Sequence, residues 1–149
     1  MDALVIGPSN GLADAVVRGL GRRGMSALRA IPADASDDER ARWLLDEAGD
    51  PPLIVVLDQA PYAIAHRLLA LTRARVVLVA EQRAAVARPG ALPRRALIPR
   101  EETGLTVVPL GRAGRRWFPL GPGRHEPMGA ERAAALVLRS CGAGAASYR

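Results

Sequence analysis

Three groups of residues in this chain have types and spacing that chemistry can use. The first is the stretch Gly7-Pro8-Ser9-Asn10-Gly11-Leu12-Ala13. It follows an apolar run, Ala3 to Ile6, and leads into an amphipathic one. That order predicts a strand, a tight turn and a helix N-terminus. Gly7 can take backbone angles closed to other residues. Gly11 lets the backbone come close to a ligand, and the small Ala13 lets the helix pack close to the strand. The first helical turn carries free N–H groups at the positive end of the dipole, which suits a phosphate. Phosphate oxygens would meet the backbone of Ser9, Asn10, Gly11 and Leu12. The other reading is an α/β turn that binds nothing.

The second group stands where other apolar runs end: Arg29, Asp58, Gln59 and Glu81. Arg29 follows the second run. A basic residue there can pair with a ribose phosphate, and an acidic one would accept from ribose hydroxyls instead. This favours NADP over NAD, and the alternative is a solvated arginine at a strand end. The third group is a set of acid/base candidates. Tyr62 and His66 are four apart on one predicted helix face, and Glu81 lies at a strand end. The competing reading makes them polar surface residues and a capping carboxylate. Cys141 is assigned to a buried small apolar role. With only His66, His125 and Cys141 as nitrogen or sulfur ligands, no metal-binding spacing exists.

These residues need elements to position them. Met25 to Ala30 reads as a short second strand. Ser36 is expected to cap a helix over Asp37 to Glu47, with Trp43, Leu44 and Leu45 on its core side. Gly49-Asp50-Pro51-Pro52 stops that helix. Leu53 to Asp58 is apolar, β-branched and uncharged until its end, as a strand covered on both faces requires. Pro61 suits the first turn of a helix that runs to about Arg73. Arg75 to Ala80 is a fourth strand ending at Glu81-Gln82, and a short helix over Glu81 to Val86 is expected beyond it. Leu105 to Leu110 is the fifth, with Pro109 at an edge or at the strand end. Gly111 to Gly123 reads as a loop holding Trp117 and Phe118. A last helix over Met128 to Cys141 is ended by Gly142, and the tail to Arg149 is expected to fray. Alternating strands and helices imply an α/β fold. The expectation is one Rossmann-like, doubly wound parallel sheet of about five strands in three layers, with the ligand crevice beyond the carboxyl ends of the strands.

The turn reads G-x-x-x-G-x-A and not the common G-x-G-x-x-G. In that spacing it resembles the short-chain dehydrogenase/reductase family, whose cofactor turn reads G-x-x-x-G-x-G. Ala13 to Gly24 is similar to that family's first helix and its glycine stop. Val107-Val108-Pro109-Leu110-Gly111 resembles its strand ending in Pro-Gly, displaced by one residue. The resemblance implies a dinucleotide, NADP or NAD, bound at Gly7, Ser9, Asn10, Gly11 and Leu12, with Arg29, Asp58 and Gln59 beside it. Departures accompany it. Val56-Leu57-Asp58-Gln59-Ala60-Pro61 stands where the family carries Asn-Asn-Ala-Gly, and only Ala60 matches. Glu81 follows Ala80 where the family places its catalytic serine. No lysine occurs anywhere, and no tyrosine between Tyr62 and Tyr148, so the family's Tyr-x-x-x-Lys is absent. The chain is shorter than an ordinary family member, and the missing length falls on the helix that carries that pair.

Length and composition set the outer bounds. A chain of 149 residues, 49% of them apolar, is enough for one domain with a real core. All 21 basic residues are arginine, and with abundant Ala, Gly and Pro this is the composition of a GC-rich bacterial coding sequence. The net charge of +6 is therefore partly a codon effect, and no basic stripe with interleaved aromatics points to nucleic acid. No stretch is long and apolar enough to span a membrane, and the start at a strand, without a signal peptide, leads us to expect the cytoplasm. Three functions fit the sequence. One is a dehydrogenase-like NAD(P)-binding protein, an atypical oxidoreductase or tailoring protein in bacterial metabolism. Another is a relative that kept the fold without redox chemistry, either as a non-catalytic partner subunit or with its crevice reused. The third is a module for another nucleotide or small-molecule ligand. A homodimer or a partner complex is expected, because the missing helix would leave apolar surface bare.

Overall fold

The computed structural model describes residues 1–58, 63–83, 100–102, 104–119 and 126–146. Strand β1 (Ala3–Ile6) leads into helix α1 (Leu12–Arg22) and strand β2 (Ala27–Ala30). A 3-10 turn at Pro32–Ala35 precedes α2 (Asp38–Glu47), followed by β3 (Leu53–Asp58), α3 (Ala63–Leu71) and β4 (Arg75–Arg83). The chain continues through β5 (Arg100–Glu102), β6 (Leu105–Ala113), β7 (Arg116–Pro119) and α4 (Ala130–Ala146).

The sheet runs β2-β1-β3-β4-β6 with every pair in that series parallel. Direction reverses at β1: the chain steps outward to β2, then crosses back over β1 to β3. Right-handed crossovers then force α1 onto one face and α2 and α3 onto the other. The core follows that division. Ala3, Val5, Val55, Leu57, Val77 and Val79 pack under α1 and α4. Their neighbours Leu4, Ile6, Ile54, Val56, Val76 and Leu78 pack under α2 and α3. Alternate residues of one strand thus serve two cores, which is why these runs are uninterruptedly apolar. The three-layer α/β architecture is as the sequence implies.

The edges and caps differ from expectation. Helix α2 is capped by Asp37, whose carboxylate accepts from the Arg40 N–H at 2.8 Å, and not by Ser36. Trp43 does not join the core. It is 65% exposed, because Ala41, Leu44 and Leu45 already fill the inward face of α2. Glu81 and Gln82 do not start a helix: β4 continues through Arg83, paired with β6. The expected loop after Gly111 instead forms a hairpin, in which β7 pairs antiparallel with the end of β6. Strand β5 pairs antiparallel with the start of the same edge. Pro109 falls between the two partner segments, where no ladder on that edge needs its missing N–H. Helix α4 does not stop at Gly142 but runs to Ala146. The fraying expected at Arg149 and the remainder of the helix expected to Val86 lie outside the described residues. Among the described residues no helix is long and apolar enough to cross a membrane.

Candidate functional site

The turn after β1 is built from two glycines with different reasons to be glycine. At Gly7 a Cβ would lie 3.0 Å from the Leu57 Cβ and 3.1 Å from the Ala13 Cβ. Gly7 is therefore the contact that lets α1 lie against β3. At Gly11 a Cβ would meet nothing within 4 Å, but the backbone is left-handed, with φ at 93°. That angle suits glycine and strains any other residue. The surface outside Gly11 is open at the head of α1, in the crevice where β1 and β3 diverge to their separate crossovers.

The remaining residues of the turn divide between solvent and core. Ser9 is exposed. Leu12 is fully buried, with its side chain in the core. The Asn10 Oδ1 accepts from the Leu12 N–H at 3.1 Å, so the first orphan donor of α1 has a partner in the chain itself. Asp14, in the first turn of α1, accepts from the Arg29 Nε at 3.1 Å. The Arg29 guanidinium also donates to the Pro8 carbonyl at 3.1 Å and to the Ala30 carbonyl. Arg29 thus clamps β2 to the outside of the turn. Each of its three nitrogens donates one hydrogen bond within the chain.

Among the described residues, the most enclosed polar group at the strand ends is Glu81. Its side chain is 2% exposed and faces the α1/α4 side, in line with Val77 and Val79. A carboxylate buried this deeply requires several donors. Asn10 Nδ2 approaches its two oxygens at 3.4 and 3.5 Å. The Trp117 Nε1 donates at 3.3 Å, and the Arg112 guanidinium lies 3.8 Å away. One carboxylate so joins β4, the β6–β7 hairpin and the β1–α1 turn.

Of the acid/base candidates, His66 and Glu81 are not brought together. His66 is exposed on α3, which covers the opposite face of the sheet from Glu81. Tyr62 and Gln59 lie outside the described residues. Asp58 closes β3 opposite Ala80, and its side chain is outside those described. Among the described residues no group of three or more His, Cys, Asp or Glu side chains could hold a metal ion. Sequence reasoning missed Trp117 as a partner of Glu81. The only signal was an aromatic pair in an Arg/Gly/Pro-rich stretch, and that carries no pairing information.

No protein-family model, no curated protein and no solved structure matches the chain at a significant level.

Proposed function

We propose that this chain is an NAD(P)-binding protein of short-chain dehydrogenase type. The dinucleotide diphosphate would lie over the Gly7–Ala13 turn, and the adenosine half would run toward Arg29 at the end of β2. The observation that carries this reading is Gly11: a left-handed glycine with open space beyond it, at the head of an 11-residue helix and at the point where the crossovers diverge. Arg29 supports NADP over NAD, since its guanidinium needs only to exchange a backbone carbonyl for a ribose phosphate.

A second reading is favoured by one specific observation. Glu81 spends its oxygens on Asn10, Trp117 and Arg112, and His66 is on the far face. No described acid/base pair replaces the Tyr-x-x-x-Lys that the sequence lacks. Cofactor binding without hydride transfer, as a homodimer or as the partner subunit of an oxidoreductase in bacterial metabolism, fits that arrangement.

The test is a melting-temperature series with NADPH, NADP+, NADH and NAD+ up to millimolar concentration, with calorimetric titration alongside. A ligand at one hundred times its Kd raises stability by about 2.7 kcal/mol. NADP forms should bind more tightly than NAD forms, and Arg29→Ala should narrow that difference. No shift with any of the four discards the cofactor reading. Binding without turnover on a panel of carbonyl and alcohol substrates selects the second reading over the first.

A further inference from the structure

We propose that this chain associates head to tail with a second copy of itself, the Arg115–Arg116 end of one copy's β6–β7 hairpin seating in a cleft beside Trp43 of the next. The contact is separate from the turn after β1 and uses none of its residues. Charge is strongly divided along the chain. Seven of the 15 carboxylates but only two of the 21 arginines fall between Asp34 and Asp50. The 3-10 turn and α2 thus form an acidic face on a protein whose net charge is +6. On that face Asp34, Asp37, Glu39, Arg40 and Trp43 line an open cleft of about 620 Å³. Trp43, the largest of these side chains, is 65% exposed. Arg40 is engaged with Asp37 and with the Ala33 carbonyl. Glu39, one turn before Trp43, has no hydrogen bond or ion pair among the described residues. An indole beside an unpaired carboxylate matches a guanidinium: the planar cation stacks on the ring while its N–H groups reach the oxygens. Tryptophan and arginine are also the side chains that most often anchor interfaces.

The complementary surface is on the same chain, beyond the reach of its own cleft. Ala113 pairs with Arg116, so Gly114 and Arg115 form the turn of the hairpin. Arg115 and Arg116 are both exposed, and neither has a partner among the described residues. The hairpin extends β6, at the other end of the parallel series from β2, and the end of β2 leads into the cleft. The four strand spacings from β2 to β6 amount to roughly 19 Å. No arginine side chain spans that distance, so the two surfaces meet only between copies. Packing α2 against α2 across a two-fold axis would instead set like charges face to face. The contact is therefore heterologous, with one hairpin and one cleft offered by each copy.

The experiment is analytical ultracentrifugation of the whole chain at concentrations up to millimolar. The unmutated protein should associate reversibly into species beyond the dimer. It should dissociate as salt rises to about 1 M, where the screening length falls to about 3 Å. Trp43→Ala removes the anchor of the cleft and should weaken association about thirty-fold, the effect of losing one hot-spot residue. Arg115→Glu combined with Arg116→Glu should weaken it from the hairpin side. All three positions are exposed, so circular dichroism and Tm should match the parent. If Trp43→Ala does not fold, Glu39→Arg replaces it by making the cleft repel the hairpin. The decisive step mixes the two variants. One has an intact hairpin and the other an intact cleft, so an equimolar mixture should form a dimer that grows no further. A parent that stays monomeric at millimolar concentration overturns the proposal. So does association that salt leaves unchanged, that persists at full strength in either variant alone, or that the mixture does not restore.

Discussion

Replacing Gly7 with alanine tests the role the packing gives it. The new Cβ would sit 3.0 Å from the Leu57 Cβ, 3.1 Å from the Ala13 Cβ and 3.2 Å from the Leu57 Cδ1. Carbon atoms in contact prefer about 3.5–4.0 Å. Two of the three neighbours are Cβ atoms, fixed to their backbones, so no rotamer change relieves them. Helix α1 must move away from β3 by a few tenths of an ångström, opening its contacts with the sheet. Overpacking of this kind costs about 1–3 kcal/mol. Alanine returns about 0.4–1 kcal/mol by restricting the unfolded chain. The expected net loss is about 1–2 kcal/mol, a fall in Tm of about 2–8 °C for a domain of this size. Urea denaturation followed by circular dichroism measures it. A double-mutant cycle makes the argument specific. Ala13→Gly alone should destabilise, since it loosens the first turn of α1 by up to about 1 kcal/mol. In the Gly7→Ala background it removes one clashing atom, so it should cost less or nothing, with a coupling of about 0.5–1.5 kcal/mol. Gly7→Ala with unchanged stability, or Ala13→Gly equally costly in both backgrounds, would refute the account.

Two other outcomes follow from the fold. Burial pushes the Cys141 thiol up to about 11, against the opposing charges of Arg75 and Arg23. Its folded value is raised above the ordinary one near 9, so its contribution to stability is whole below about pH 9 and is lost as pH rises toward 11. Iodoacetamide at pH 8 should therefore label native protein slowly and urea-unfolded protein fast, and Cys141→Ala should flatten the alkaline part of the stability profile. Asp37→Ala should cost about 1 kcal/mol through loss of the α2 cap. Ser36→Ala should stay within about 0.5 kcal/mol, and equal losses would show that the cap is misassigned.

The sequence by itself determined the parallel layers of this protein. Leu53 to Asp58 and Arg75 to Ala80 are apolar at every interior position, and only a strand covered on both faces tolerates that. Gly7, Gly11 and the amphipathic run after them set the strand–turn–helix in the same way, because turn angle and helix periodicity are local properties. Only the tertiary structure decided the rest. Helix α2 has more apolar residues than its buried face can take, and packing against the sheet chose Leu44 and Leu45 and left Trp43 outside. The residues of β7 carry arginine and proline and read as a loop. They become a strand because β6 presents a free edge at Leu110 to Ala113. Glu81 was legible as a strand-end carboxylate, but its partners are 71 residues away at Asn10 and 36 away at Trp117. Spacing along a chain encodes the neighbours of a helix or a strand. It does not encode which distant donors close around a buried charge, since that depends on the order in which the strands assemble.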